Sequence, residues 1–178
     1  TERGILAVNT PQATFDPVSD HAIGLLFSIL RWIPRQDRAI RQGQWVIDDL
    51  VWQKPLNGST LGLIGFGRIA QAMVRKLSGF ELHCMAFDPY VPAQAMADLG
   101  VLKTEMDDVL SQADFISLHT PLTKETHHLI GEREFGLMKP TATIINTARG
   151  HVVDEEAMAR ALTEGRIAAA ALDVCQTK

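Results

Sequence analysis

Gly65, Gly67 and Ala70 stand in G-x-G-x-x-A spacing within Gly65-Phe66-Gly67-Arg68-Ile69-Ala70. Each small residue has a task in a phosphate cradle. Gly65 turns the chain sharply, Gly67 lets backbone approach a pyrophosphate, and Ala70 lets a helix lie close to its strand. The free N–H groups and the dipole of a helix starting here favour phosphate. Asp88 follows about 20 residues on, where a dinucleotide site needs an acid. Its carboxylate would accept hydrogen bonds from both adenosine ribose hydroxyls and repel a 2′-phosphate, which favours NAD over NADP. Asp88-Pro89 is also an ordinary way to start a turn.

Further polar groups follow apolar runs: His119-Thr120-Pro121-Leu122-Thr123, Thr147-Ala148-Arg149-Gly150, and Asp173. Arg149 is permanently charged and presents a planar fork that suits a carboxylate; the alternative is a surface salt bridge to Asp154 or Glu155. Gly150 permits unusual backbone geometry or close ligand approach. His119 reads either as a contact to the nicotinamide side of a cofactor or as a structural hydrogen bond. His127-His128 resembles a metal pair, but adjacent side chains diverge and no carboxylate spacing supports it, so it reads as a loop feature. His151 is an acid–base candidate placed where the next helix begins. Asp20-His21 reads as a satisfied polar pair at a helix start, with a functional role as the alternative.

The elements that must hold these groups alternate from Thr60 onward. Strands are expected at 60–65, 82–87, 101–103, 114–118, 142–146 and 167–174. Helices are expected at 67–78, 92–99, 106–112, 131–138 and 154–164. Repeated β-α units with apolar strands give a parallel sheet covered on both faces, and such sheets bind ligands beyond the carboxyl ends of their strands. Ahead of them, Gly4-Ile5-Leu6-Ala7-Val8 reads as a strand end. Residues 17–33 read as one long helix, apolar nearly all round and so buried on more than one side. Pro34 breaks it, and a basic continuation carrying Arg35, Arg38 and Arg41 on one solvated face ends at Gly43. Trp45 and Trp52 read as apolar anchors of a loop, and 55–58 as a turn. This gives 1–55 as a linker, hinge and dimerisation region and 56–178 as the dinucleotide-binding core.

A net charge of −4 gives no reason to expect nucleic-acid or membrane-surface binding, and no apolar run is long enough to span a bilayer. The chain opens Thr1-Glu2-Arg3 without a secretory pattern. Cys84 and Cys175 read as buried free thiols in a reducing cytoplasm.

These motifs, with Met138-Lys139-Pro140, Asn146-Thr147-Ala148-Arg149-Gly150, Val153-Asp154-Glu155 and Ala170-Ala171-Leu172-Asp173-Val174, resemble the D-isomer-specific 2-hydroxyacid dehydrogenases over nearly the whole chain. The likeness looks closest to the phosphoglycerate dehydrogenase and C-terminal-binding-protein branch. The resemblance implies a Rossmann-type doubly wound α/β domain binding NAD, with helix 17–33 joining it to a substrate domain and forming part of a homodimer interface. It implies Arg68 and Ile69 at the pyrophosphate and Asp88 at the ribose. His119, Thr120, Pro121 and Thr126 would line the cofactor. Thr147, Ala148 and Arg149 would pass under the nicotinamide ribose, with Asp173 at the carboxamide. Arg149 would grip a 2-keto acid while hydride moves between nicotinamide and C2. The family's acid–base His, in a Pro-His segment, and its partner Glu fall beyond the motifs matched here. The chain continues Cys175-Gln176-Thr177-Lys178, so on its own it is expected not to turn over. A corepressor-type module responding to NAD(H) is the alternative function.

Overall fold

Parallel strands need long crossovers, and the alternation from Thr60 supplies a helix or turn for each. The computed structural model describes Gly4, residues 14–45 and residues 55–176. Six strands form one sheet: β1 (Thr60–Ile64), β2 (His83–Phe87), β3 (Val101–Lys103), β4 (Phe115–Leu118), β5 (Thr143–Asn146) and β6 (Ala169–Leu172). Their order is β3-β2-β1-β4-β5-β6 and every pairing is parallel. This is the doubly wound order in which the winding reverses between β1 and β4, leaving a crevice at their carboxyl ends.

Seven helices flank the sheet among the described residues: α1 (Phe15–Leu30), α2 (Ile33–Arg41), α3 (Arg68–Lys76), α4 (Ala93–Ala97), α5 (Met106–Gln112), α6 (Glu132–Leu137) and α7 (Glu155–Thr163). Two apolar layers result. On one face Leu61 and Leu63 of β1 meet Ala22 and Leu26 of α1 and Ala70 and Met73 of α3. On the other, Ile116 and Ile144 meet Val109 and Leu110 of α5, Phe135 of α6 and Ala157 of α7. Strands buried on both faces explain the continuous apolar runs. Asp154 caps α7, its Oδ1 accepting from Glu156 N (3.0 Å) and Ala157 N (3.1 Å). Asp154→Ala should cost about 1 kcal/mol, read as a lower urea midpoint at unchanged slope, and Asp154→Ser should recover most of it.

Several expectations change. One long helix over 17–33 does not form. The first helix ends at Leu30, Trp32 takes a left-handed backbone (φ 54°), and Pro34 falls in the first turn of α2. Nor is α1 buried on more than one side. Ser19, Ala22, Leu26 and Leu30 make a single buried stripe, while Ile23, Leu25, Phe27 and Ile29 are only half-buried. Of the three arginines, Arg41 pairs with Asp37 (2.9 Å) and Arg35 lies 4.2 Å over the Trp32 ring. Trp45 is 76% exposed rather than buried as a loop anchor; Trp52 lies outside the described residues, as does the expected strand beyond Gly4. The last strand is shorter than 167–174, so Cys175 follows it and is exposed, whereas Cys84 is half-buried and its thiol pKa is raised by burial.

Candidate dinucleotide site

The register brings the carboxyl ends level. Phe87, Ile64, Leu118, Asn146 and Leu172 form one row across five strands. The residues immediately beyond that row are Asp88, Gly65, His119, Thr147 and Asp173. Backbone bonds hold this second row in place: Gly65 N donates to Phe87 O (2.8 Å), His119 N to Ile64 O (2.8 Å) and Asp173 N to Asn146 O (3.0 Å).

The two glycines differ in what requires them. Gly65 has φ +88°, and a Cβ there would lie 2.9 Å from the carbonyl carbon and oxygen of His119. Gly67 has ordinary extended backbone, and a Cβ there would meet nothing within 4 Å. The protein fills the space at Gly65 and leaves it open at Gly67, where α3 begins. Gly67 gives no side-chain cap to α3, so that helix start keeps N–H groups suited to an anion. Arg68 is exposed and Ile69 half-buried in its first turn.

Asp88 starts the expected turn and also braces the glycine turn. Its Oδ2 accepts from Phe66 N (2.8 Å), pinning the glycine turn, while Oδ1 accepts from Tyr90 N (2.8 Å) and Val91 N (3.2 Å) as a turn start. A carboxylate has about four acceptor sites, so capacity for a further donor remains.

Beyond β4, both ring nitrogens of His119 and the Thr120 hydroxyl are sealed from solvent without a partner among the described residues, and so is the Thr147 hydroxyl beyond β5. Burial pushes His119 down to about 4, which keeps the imidazole neutral at physiological pH. Among the described residues the His119 ring makes no structural hydrogen bond. Thr126 is half-buried, with its hydroxyl committed to its own loop: it donates to Pro121 O (2.6 Å) and accepts from Thr123 N (2.7 Å). Pro121 is exposed on that loop.

Asn146 shapes the Thr147–Arg149 turn from inside. Its Oδ1 accepts from Ala148 N and its Nδ2 donates to Arg149 O, both at 3.0 Å. Arg149 is exposed and donates to Ala148 O (2.6 Å). Neither carboxylate considered as its salt-bridge partner takes it: Asp154 caps α7, and Glu155 accepts from Gln176 N (2.6 Å). Gly150 serves close approach of the chain's own backbone. A Cβ there would lie 2.6 Å from Gln176 N and collide with the Cys175 carbonyl.

Three of the remaining histidines lie near one another. His127 and His128 stack at 4.1 Å, His151 lies 5.8 Å from His127, and among the described residues no group of three His, Cys, Asp or Glu could hold a metal. Asp20 and His21 do not pair locally. Asp20 receives Lys76 Nζ of α3 (2.6 Å), and His21 Nε2 stands 3.2 Å from Asp173 Oδ1.

A sequence profile described as D-isomer specific 2-hydroxyacid dehydrogenase, NAD binding domain, matches residues 23–178. The chain belongs to this family. As an NAD-binding domain of D-isomer-specific 2-hydroxyacid dehydrogenases it is 43% identical to a glyoxylate reductase of Thermococcus litoralis, over 98% of this chain and 54% of that protein. It is 41% identical to a D-3-phosphoglycerate dehydrogenase of Methanocaldococcus jannaschii, over 98% of this chain and 33% of that one. A crystal structure of Aquifex aeolicus D-lactate dehydrogenase, complexed with NAD and lactic acid, superposes with a TM-score of 0.89 at 33% identity, over 99% of this chain and 53% of that chain. The dehydrogenase domain thus spans between a third and about half the length of the curated relatives named here.

NAD is the family's cofactor, and the crevice fits it: an uncapped helix start, clear space at Gly67, and buried hydroxyl and imidazole groups without protein partners. Two residues that bond this strand-end row are not assigned to it from the sequence. Asn146 carried a signal, since Asn at a strand end commonly bonds the backbone two residues on. His21 carried none, because its partner lies at the far end of the chain.

Proposed function

We propose that this domain binds NAD across the crevice in an oxidoreductase that moves hydride between the nicotinamide and C2 of a small 2-hydroxy or 2-keto acid. The carrying observation is the row Asp88, Gly65, His119, Thr147, Asp173 along one sheet edge. The α3 start, with Gly67, Arg68 and Ile69, takes the pyrophosphate, and Asp88 takes the adenosine ribose. His119, Thr120 and Pro121 line the middle of the cleft beside the loop that Thr126 closes. Thr147, Ala148 and Arg149 lie beneath the nicotinamide ribose, and Asp173 meets the carboxamide. When bound, NAD supplies the hydride acceptor.

Arg149 then holds the substrate carboxylate and polarises the C2 oxygen. Its freedom from Asp154 and Glu155 supports that role, because a guanidinium already paired would have to break a salt bridge first. His119, neutral and with both ring nitrogens sealed, is a poor proton source, and the His151 ring lies 5.8 Å from His127. The 178-residue chain is therefore expected to bind NADH without turning over.

Residues 1–55 serve as hinge and dimerisation region and 56–178 as the core. The half-buried apolar residues of α1, with exposed Ile33 (51%) and Ile40 (56%), support a homodimer along this side. Free thiols support a reducing cytoplasm. Among the described residues no helix is long and apolar enough to cross a membrane. The corepressor alternative is set aside, since the relatives named above are reductases and dehydrogenases.

Calorimetric titration of the chain with NADH and NADPH tests the reading. NADH should bind saturably and NADPH about tenfold or more weakly, because Asp88 faces the 2′ position. Asp88→Ser should narrow that gap. A folded chain that binds neither would overturn the proposal.

A further inference from the structure

The strand-end row includes one carboxylate held from outside the sheet. Asp173 follows β6, where the chain leaves the core, and half of its side chain is exposed. Left alone, such a side chain samples several rotamers, and a ligand that needs one of them must order it on binding. It is not left alone. His21 projects from α1 and places Nε2 3.2 Å from Asp173 Oδ1. The backbone of Asp173 is fixed separately by Asn146 O. Oδ2 has no protein partner among the described residues and remains available to a donor.

His21 can do this because α1 is itself anchored. The buried stripe Ser19, Ala22, Leu26 and Leu30 faces the sheet. Lys76 of α3 then clamps its first turns, donating to Asp16 O (3.0 Å), Ser19 Oγ (2.9 Å) and Asp20 Oδ1 (2.6 Å). The imidazole is thus carried on a helix fastened to the domain at two places. A His–Asp pair this exposed adds little to folding stability. Its consequence lies in where it leaves the carboxylate.

We propose that His21 is a positioning residue for the nicotinamide end of the site, holding Asp173 by Oδ1 so that Oδ2 is preset for the carboxamide N–H. This rests on the reading of Asp173 given above. It makes α1 part of the cofactor cleft rather than only a connector.

The test separates the two halves of the ligand by titrating the 178-residue chain with NADH and with ADP-ribose, which lacks nicotinamide. His21→Leu should weaken NADH about three- to tenfold and leave ADP-ribose within about twofold. His21→Gln, whose amide can donate to Oδ1, should recover most of the loss. In an Asp173→Ala background, His21→Leu should have no further effect, as a double-mutant cycle requires of a residue acting through its partner. Equal losses for NADH and ADP-ribose, an unchanged NADH affinity, or the same loss without Asp173 would each overturn the assignment. Wild-type chain that binds ADP-ribose as tightly as NADH would overturn it while sparing the dinucleotide site. Wild-type chain that binds neither would overturn the site and the assignment together.

Discussion

Gly65→Ala is expected to cost about 3 kcal/mol of stability, and Gly67→Ala less than about 0.5 kcal/mol, although the two residues are nearly adjacent. At Gly65 two penalties add. A φ of +88° is strained for any residue with a Cβ, and the new methyl lies 2.9 Å from the His119 carbonyl carbon and oxygen. That neighbour is backbone continuing β4, and it cannot turn aside as a side chain could. At Gly67 neither penalty exists: φ is −77° and the space is open. The new methyl would occupy the approach to the α3 start, so NADH affinity should fall about tenfold or more. Urea unfolding and NADH titration of both variants measure the contrast. Equal destabilisation would refute the assignment of one glycine to the fold and the other to the ligand, and so would full NADH affinity in Gly67→Ala.

The same contrast shows what could be read before any coordinates. Gly65, Gly67 and Ala70 announce a cradle because their roles are local to one strand–turn–helix unit. The β-α alternation announces a parallel sheet because each unit carries its own apolar period. From the sheet followed the edge on which Asp88, His119, Thr147 and Asp173 meet. The misreadings are of a different kind. Helix 17–33 is rich in apolar residues, but composition does not say which face finds a partner. In the structure one stripe packs on the domain and the break falls at Trp32, two residues ahead of the proline. Gly150 reads from the sequence as unusual backbone geometry or close ligand approach, whereas the backbone that approaches it is the segment after β6, remote in sequence. His21 and Asp173 are separated by nearly the whole chain, and only the fold pairs them.

His119 makes the second large effect, and it is one of pH. In the unfolded chain its imidazole titrates near the ordinary 6.5; in the folded chain burial lowers this to about 4. Between those values the unfolded state binds a proton that the folded state refuses. The contribution is therefore fully present above pH 6.5 and is lost as pH falls toward 4, by about 3 kcal/mol in all. Carboxylates and other histidines add their own slopes over the same range, so the wild-type curve alone cannot assign the loss. His119→Phe resolves this, because it removes the titrating ring, fills a similar space and leaves the other groups in place. The difference between the wild-type and His119→Phe stabilities should be flat above pH 6.5 and should change by about 3 kcal/mol on the way to pH 4. Its level near neutrality should favour His119→Phe by about 1–3 kcal/mol, since the nitrogens removed are buried without a protein partner. Parallel curves across the whole range would mean that the ring reaches water or a proton acceptor in solution. If NADH takes one of those nitrogens, the bound complex should resist acid further than the free chain, and His119→Phe should weaken NADH while sparing stability at pH 7. A group that costs the fold stability at neutral pH and yet matters to the ligand is what a buried polar atom without a partner implies.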